Sequence, residues 1–167
     1  MKIGVISDTH GRFDPPFRDF FEPCDEIWHA GDFGGGYATA AEIAAFKPLV
    51  GVVGNCDERG LMYDYPIHKC FKREGKLILM THIGGYPGRY DYNARQLIER
   101  YRPDIFVCGH SHILRVMNDP KYDMLVMNPG AAGIQGFHIV RTAIRFDINE
   151  LGLSNLEVLN IDREENL

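Results

Sequence analysis

The chain has 167 residues, of which 45% are hydrophobic and 25% are charged, and its formal net charge is −5. This length and apolar fraction predict a single folded domain over residues 1–167 and exclude a disordered chain. The acidic balance disfavours nucleic acid and anionic membranes as partners, and the short apolar runs predict neither a membrane span nor a signal peptide.

Strands and helices alternate in the first part of the chain. Three short apolar runs are typical of buried strands: Lys2–Ser7, Glu26–Ala30 and Leu49–Val53. Asp14 begins a helix that stops before Pro23, and Tyr37–Phe46 forms a second helix between the later strands. This alternation indicates βαβ units and a parallel sheet.

The rest of the chain is richer in strands. His68–Lys72 and Lys76–Thr81 form a predicted hairpin, and Asn93 is expected to cap a third helix that ends at Pro103. Further strands are predicted at Ile105–Cys108, Val116–Asn118, Met124–Met127, Phe137–Phe146 and Leu156–Ile161. Two sheets packed face to face with helices outside fit this order, and residues 163–167 are expected to be a frayed polar tail.

Residues of the types that bind metals come immediately after these strands, where α/β folds place their ligand sites. They are Asp8, His10, Asp32, Asn55, His82, His110 and His112. Two carboxylates, one amide and four imidazoles are too many ligands for one zinc ion. They suit two five- or six-coordinate divalent ions that share a bridging carboxylate.

Five short motifs that contain these residues resemble, in order, those of the calcineurin-like metallophosphoesterases. The motifs are Asp8-Thr9-His10, Gly31-Asp32, Gly54-Asn55-Cys56-Asp57, Thr81-His82 and Gly109-His110-Ser111-His112. The small size and the cysteine in the third motif are similar to the small prokaryotic phosphodiesterase branch, to which the eukaryotic retromer subunit is related. The resemblance implies an α/β fold, a four-layer α/β/β/α sandwich of two packed mixed sheets with a binuclear metal centre.

The resemblance also implies a role for each ligand. Asp8, His10 and His112 would hold the first metal, Asp32 would bridge, and Asn55, His82 and His110 would hold the second. Two divalent ions are expected, with Mn²⁺ as the first choice and Ni²⁺, Zn²⁺, Fe or Mg²⁺ as alternatives. A metal-bridging hydroxide would attack phosphorus, with Asp8, His10, Asp32, Asn55 and Asp57 as the expected catalytic residues.

The sequence departs from the family at two points near the ligands. Many members have a histidine in place of Cys56, and that histidine protonates the leaving oxygen. A thiol suits this role badly, so we expect either a preference for esters with good leaving groups or an acid supplied by water or another residue. Asp57 is expected to orient His10 or the turn of Asn55, or to be a simple turn residue. Relatives also often carry a further histidine shortly after the glycine that follows His82.

Several other residues have weaker assignments. His29 is expected to be a buried packing residue, and His68 and His138 lack motif context. Four loop side chains could clamp a phosphate or stack on an ester group, although surface solvation is the alternative: Arg12, Tyr86, Arg89 and Tyr90.

The resulting prediction is a metal-dependent phosphodiesterase that acts on a small phosphate ester. Widely spaced cysteines without a C-x-x-C pair indicate reduced thiols and a cytoplasmic location. The alternative is a metal-binding interaction scaffold with weak or no catalysis. A phosphomonoesterase fits less well, as does a nuclease, which the acidic charge disfavours. The sequence leaves a homo-oligomer open.

Overall fold

The computed structural model describes residues 1–163, so most of the predicted tail, residues 164–167, lies outside the described residues. The helices are α1 (Pro15–Phe21), α2 (Tyr37–Phe46) and α3 (Tyr92–Tyr101), with one turn of 3-10 helix at Arg59–Tyr63. The strands are β1 (Lys2–Ile6), β2 (Glu26–His29), β3 (Leu49–Gly51), β4 (His68–Arg73), β5 (Lys76–Thr81), β6 (Gly85–Tyr86), β7 (Arg89–Tyr90), β8 (Ile105–Val107), β9 (Leu114–Asp119), β10 (Met124–Pro129), β11 (Val140–Asn149) and β12 (Gly152–Asp162).

Ten of these strands form two mixed sheets. The first sheet has the order β12-β11-β1-β2-β3, in which β1, β2 and β3 are parallel and the other pairs are antiparallel. The second has the order β4-β5-β8-β10-β9, with β5, β8 and β10 parallel. Short parallel strands in the centre of each sheet therefore end at the same edge.

Apolar residues pack in three layers between the elements. The largest layer lies between the sheets and includes Val5 and Trp28 from one sheet and Met80 and Val107 from the other. A second layer packs α1 and α2 on the first sheet, and a third packs α3 on the second sheet. The chain is therefore a four-layer α/β/β/α sandwich of two mixed sheets, as predicted.

Several predicted boundaries are wrong, among them the end of β3 (predicted at Val53), the start of β9 (predicted at Val116) and the end of β11 (predicted at Phe146). Asp91, not Asn93, caps α3, because its carboxylate accepts hydrogen bonds from the backbone N–H groups of Asn93 and Ala94. The strand predicted from Phe137 begins only at Val140, since Phe137 lies in a loop with its side chain fully exposed. The last strand begins at Gly152, four residues before the predicted start.

Within residues 1–163, no helix has the length and apolar character needed to cross a membrane.

Candidate metal centre

The seven predicted ligands lie at the edge where the parallel strands of both sheets end. The first sheet contributes Asp8 and His10 after β1, Asp32 after β2 and Asn55 after β3. The second contributes His82 after β5, and His110 and His112 after β8. Backbone hydrogen bonds from Asp8 N to Gly31 O (2.9 Å) and from His10 N to Asp32 O (3.1 Å) continue the β1–β2 pairing into the loops.

Five of the seven ligands have a left-handed backbone. Their φ angles are 53° at Asp8, 45° at His10, 57° at Asp32, 67° at His110 and 59° at His112. Non-glycine residues rarely adopt this conformation, which costs about 1–3 kcal/mol at each position and clusters at functional sites. The fold therefore holds these side chains in a strained arrangement that local sequence preference does not favour.

Each of the two aspartates has one anchored oxygen and one oxygen that faces the cluster. Asp8 Oδ2 accepts hydrogen bonds from the Ser7 hydroxyl (2.6 Å) and from the backbone N–H of His110 (3.1 Å). Asp32 Oδ1 accepts the backbone N–H of Cys56 at 2.8 Å. The second oxygens, Asp8 Oδ1 and Asp32 Oδ2, are left for a ligand.

Imidazole nitrogens surround these two oxygens. His112 Nε2 lies 3.1 Å from Asp8 Oδ1, and His82 Nε2 lies 3.2 Å from Asp32 Oδ2 and 3.8 Å from Asp8 Oδ1. His10 Nε2 lies 4.0 Å from Asp8 Oδ1 and 3.9 Å from Asp32 Oδ2. Neighbouring ligand atoms that bind one octahedral ion at about 2.1 Å lie roughly 3 Å apart, so the shortest of these distances suit a shared metal.

The carboxyl groups are held in their charged form. Burial alone would raise the pKa of Asp8, but the nearby imidazoles of His112 and His82 outweigh burial and lower it. Burial would also raise the pKa of Asp32, but the imidazole of His82, whose Nε2 lies 3.2 Å from Asp32 Oδ2, helps to lower it to about 2. The pKa of His82 is raised, because Asp32 and Asp8 outweigh its burial. The cluster therefore favours positive charge between its carboxylates.

A backbone carbonyl sets the tautomer of His82. Its Nδ1 lies 2.7 Å from Ala30 O, which can only accept a hydrogen bond, so Nδ1 carries the proton. In the neutral ring, Nε2 then presents its lone pair to the cluster, which is the form that binds a metal.

His138 sets the tautomer of His112 in the same way. His138 Nε2 donates to Gly133 O at 2.9 Å, so its Nδ1 has a lone pair. That lone pair accepts the Nδ1 proton of His112 at 3.1 Å, which leaves His112 Nε2 free to bind a metal near Asp8. His138 lacks motif context, because only the fold brings the loop before β11 next to His112.

The buried nitrogens of the cluster test whether a metal fits. His10 Nε2 and His82 Nε2 are both buried, and no well-formed hydrogen bond reaches either of them within residues 1–163. Such groups are costly to leave without a partner. Three sets of side chains have donor atoms close enough to hold one ion: Asp8, His10 and His112; Asp8, Asp32 and His82; and His10, Asp32 and Cys56. The donor set therefore fits divalent metal ions.

An open cleft of about 520 Å³ lies above the cluster. Its lining includes His10, Asp32, Asn55, His110 and His112, while Asp8 and His82 lie deeper and are buried. Asn55 and His110 are exposed and line the cleft, and His110 belongs to none of the three close donor sets. The other five predicted ligands form the cluster itself, and Asn55 and His110 lie at its rim.

The third motif contributes two more side chains. Asp57 accepts the backbone N–H of Gly54 (2.8 Å) and that of Gly34 (3.1 Å), so it joins two loops of the site and makes no hydrogen bond to His10 within residues 1–163. Cys56 is exposed and lines the cleft. Burial, followed by the charge of Asp32, raises the pKa of the Cys56 thiol, which makes it a weaker acid than usual.

His29 is a buried packing residue, as predicted. Its Nδ1 accepts the backbone N–H of Gly31, its Nε2 contacts the hydroxyl of Thr9 at 2.9 Å, and its ring stacks on Phe33. Burial lowers its pKa to about 3, so the ring is neutral at physiological pH. It supports the loops behind the cluster without reaching it.

The four predicted loop side chains separate into two places. The Arg12 guanidinium lies 3.8 Å from the carboxylate of Asp14, close to α1. The other three line a second cavity beside the cleft: Tyr86, Arg89 and Tyr90.

The chain is similar in sequence to one protein family and in fold to several solved structures. A family model described as the calcineurin-like phosphoesterase superfamily domain matches residues 1–151. An archaeal protein characterised as a novel phosphodiesterase has a solved structure with a TM-score of 0.74 and 21% identity, covering 96% of this chain and 100% of that one. Wild-type Vps29 from Entamoeba histolytica, solved with Zn²⁺, has a TM-score of 0.73 and 20% identity, covering 98% and 100%.

A predicted phosphoesterase from Streptococcus pneumoniae TIGR4 has a TM-score of 0.65 and 19% identity, covering 98% of this chain and 90% of that one. No curated protein matches the sequence. At these identities the structural likeness establishes the fold.

Proposed function

We propose that this chain, which belongs to the calcineurin-like phosphoesterase superfamily, is a phosphodiesterase that uses two divalent metal ions. The observation that carries the proposal is the pair of anchored carboxylates, Asp8 and Asp32, each with one oxygen facing buried imidazole nitrogens. This pair opens into a cleft large enough for a small phosphate ester. Members of this superfamily are generally hydrolases. Phosphodiesterase activity is what we propose for this chain in particular.

The ligands divide into two sets around Asp32. Asp8, His10 and His112 would hold one ion, and their donor atoms already lie close together. Asn55, His82 and His110 would hold the other, with Asp32 shared between the two ions. Mn²⁺ is our first choice, because the carboxylate and amide oxygens suit it, while the imidazoles keep Zn²⁺, Ni²⁺ and Fe as alternatives.

The chain's own residues prepare the site before substrate arrives. Metal ions bound here would neutralise charge on the phosphate and lower the pKa of a water molecule toward neutrality. Ala30 and His138 orient the rings of His82 and His112, and Ser7 holds the carboxylate of Asp8. This fixed arrangement lowers the cost of reorganisation during reaction.

Cys56 stands in the third motif at the position where many family members have the histidine that protonates the leaving oxygen. Cys56 lies at the cleft with a raised pKa, so it donates a proton poorly. We therefore propose a preference for esters whose leaving group is stable as an anion, such as aryl diesters. The net charge of −5 favours a small ester over nucleic acid, and the reduced thiols support a cytoplasmic location.

A scaffold that binds metal without catalysis is the second candidate. Its support is the weak acid at Cys56 together with β12, a long edge strand on which Leu156 and Val158 are exposed. Such an edge can pair with another protein or with a second copy of the chain. The two candidates differ in whether the metal-loaded protein turns over esters.

Metal analysis and turnover of two aryl esters test the proposal. We expect two metals per chain and faster hydrolysis of bis(p-nitrophenyl) phosphate than of p-nitrophenyl phosphate. Asp32→Asn should lose turnover of the diester, while the exposed Asp123→Asn serves as the matched control and retains it. Two metals without turnover would support the scaffold, and a folded chain that binds less than one metal would overturn both candidates.

A further inference from the structure

A second cavity of about 330 Å³ adjoins the metal cleft. The two share lining residues, namely His110, Ser111 and Ile113. Because His110 is a proposed metal ligand, a molecule whose phosphate lies at the metal centre can extend directly into this second cavity.

The second cavity has an excess of positive charge. Arg89 and Arg115 both line it, and within residues 1–163 neither forms an ion pair with a carboxylate. The guanidinium of Arg115 lies over the ring of Tyr86 at 3.9 Å from its centroid, so stacking fixes its plane and leaves its N–H groups available. The carboxylate in the same lining, that of Asp91, is engaged in capping α3.

Ser111 adds an oriented hydroxyl at the boundary between the cavities. Its Oγ accepts hydrogen bonds from Asn128 Nδ2 at 3.1 Å and from the backbone N–H of Ile113 at 3.3 Å. Both lone pairs are therefore used, and the O–H is left to donate to an acceptor in the adjoining space. An anionic oxygen is the strongest acceptor for such a donor.

We infer that this second cavity binds an anionic group, a phosphate or a carboxylate, on the alcohol portion of the diester whose scissile phosphate lies at the metal centre. Arg89 and Arg115 provide the charge, and Ser111 provides a neutral donor. The inference rests on the proposed function and narrows its substrate class to small diesters with a second anion. Guanidinium groups suit this role because they bind phosphate and carboxylate oxygens through paired N–H groups.

A series of aryl diesters tests the inference with one constant leaving group. The substrates are p-nitrophenyl alkyl phosphates with chains of two to four carbons that end in methyl, carboxylate or phosphate. We expect kcat/KM with the Mn²⁺-loaded protein to be about tenfold or more higher for an anionic end than for methyl, because a hydrogen bond to a charged group is worth about 1.5–3 kcal/mol. The two anionic arms show which group is preferred.

Variants identify the residues responsible. Arg89→Gln and Arg115→Gln together should remove the advantage of the anionic end, so that kcat/KM for the anionic diesters falls to about that of the methyl-ended diester. Arg95→Gln, an exposed arginine on α3 outside both cavities, is the matched control and should retain the advantage. Equal turnover of methyl-ended and anionic diesters by the parent protein would overturn the inference without affecting the proposed function.

If no ester is turned over, a binding measurement still tests the anion subsite separately from the proposed phosphodiesterase activity. Calorimetry would compare propyl phosphate with propane-1,3-diyl bisphosphate on the metal-loaded protein. Tighter binding of the bisphosphate, by about tenfold and only with both arginines present, would support the subsite even if the protein is no phosphodiesterase. Equal affinity of the two ligands would overturn it.

Discussion

The His138 imidazole connects the loop before β11 to a proposed metal ligand. Its Nε2 donates a hydrogen bond to Gly133 O, and its Nδ1 accepts one from His112 Nδ1. These two hydrogen bonds fix His112 in the tautomer that binds metal. Because such partners typically contribute 10–100-fold to metal affinity, we expect His138→Ala to weaken Mn²⁺ binding by about that factor. Calorimetric titration of the apoprotein with Mn²⁺ measures the change.

A second histidine variant provides the control for this prediction. His68 is half-buried on β4 and contacts none of the proposed ligands, so His68→Ala should keep the parent affinity. If His138→Ala bound Mn²⁺ as tightly as His68→Ala, the role assigned to His138 would be wrong.

We propose that Cys56 limits which esters the site can cleave. A histidine there would place an acid with a pKa near neutrality beside the leaving oxygen, and general acids contribute about 10²–10⁴-fold. We expect Cys56→His to raise the turnover of an alkyl leaving group, such as that of a nucleoside 2′,3′-cyclic phosphate, by at least about tenfold. The rate with bis(p-nitrophenyl) phosphate should change much less.

The matched variant Cys56→Ala removes the thiol without adding an acid. It should keep the parent's ratio of rates on the two esters. An unchanged ratio in Cys56→His at full metal content would show that leaving-group protonation does not depend on this position.

At the scale of the element, α3 shows how a short polar side chain sets a helix start. Asp91 accepts two backbone N–H groups of the first turn, whereas Asn93 lies inside the helix. Loss of such a cap costs about 0.5–2 kcal/mol, so Asp91→Ala should lower the free energy of unfolding by about 1 kcal/mol. Denaturant unfolding measures this loss, and Asn93→Ala should show a clearly smaller one. A larger loss in Asn93→Ala would restore the capping role that the sequence predicted for it.

Short buried strands are the elements that the sequence predicts best. The apolar run Ile105–Cys108 ends within a residue of the observed strand β8, because burial on both faces requires continuous apolar side chains. The proposed ligands were chosen from the same pattern, since each comes shortly after such a strand. Boundaries that depend on contacts between distant parts of the chain were predicted wrongly. The strand predicted from Phe137 is an example, because that apolar side chain is exposed in a loop.

The candidate site divides in the same way. Residue type and position after a strand were enough to predict Asp8 or Asp32. The supporting contacts of His138 and Asp57 join loops that lie far apart in the sequence, so local pattern carries no signal for them. The positive charge of the second cavity likewise depends on the meeting of Arg89 and Arg115, which lie on different strands of different sheets.

At the scale of the whole molecule, the proposed ligands connect the two sheets. Asp8 and Asp32 follow strands of the first sheet, while His82 and His112 follow strands of the second. Metal bound among them would link both sheets at the edge where their parallel strands end. Without metal, the two ionised carboxylates of the first sheet face only the imidazoles of the second, such as His82, whose pKa they raise.

Metal should therefore stabilise the fold as well as the site. A ligand that binds only the folded state at 100 times its Kd contributes about 2.7 kcal/mol, which in a chain of this length raises Tm by roughly 5–10 °C. We expect Mn²⁺ to give a rise of this size over protein treated with a chelator, as measured by differential scanning calorimetry. Asp32→Asn should lose the rise while the exposed Asp123→Asn keeps it, because only Asp32 faces the cluster. Identical Tm values with and without Mn²⁺ in the parent protein would contradict a metal link between the sheets.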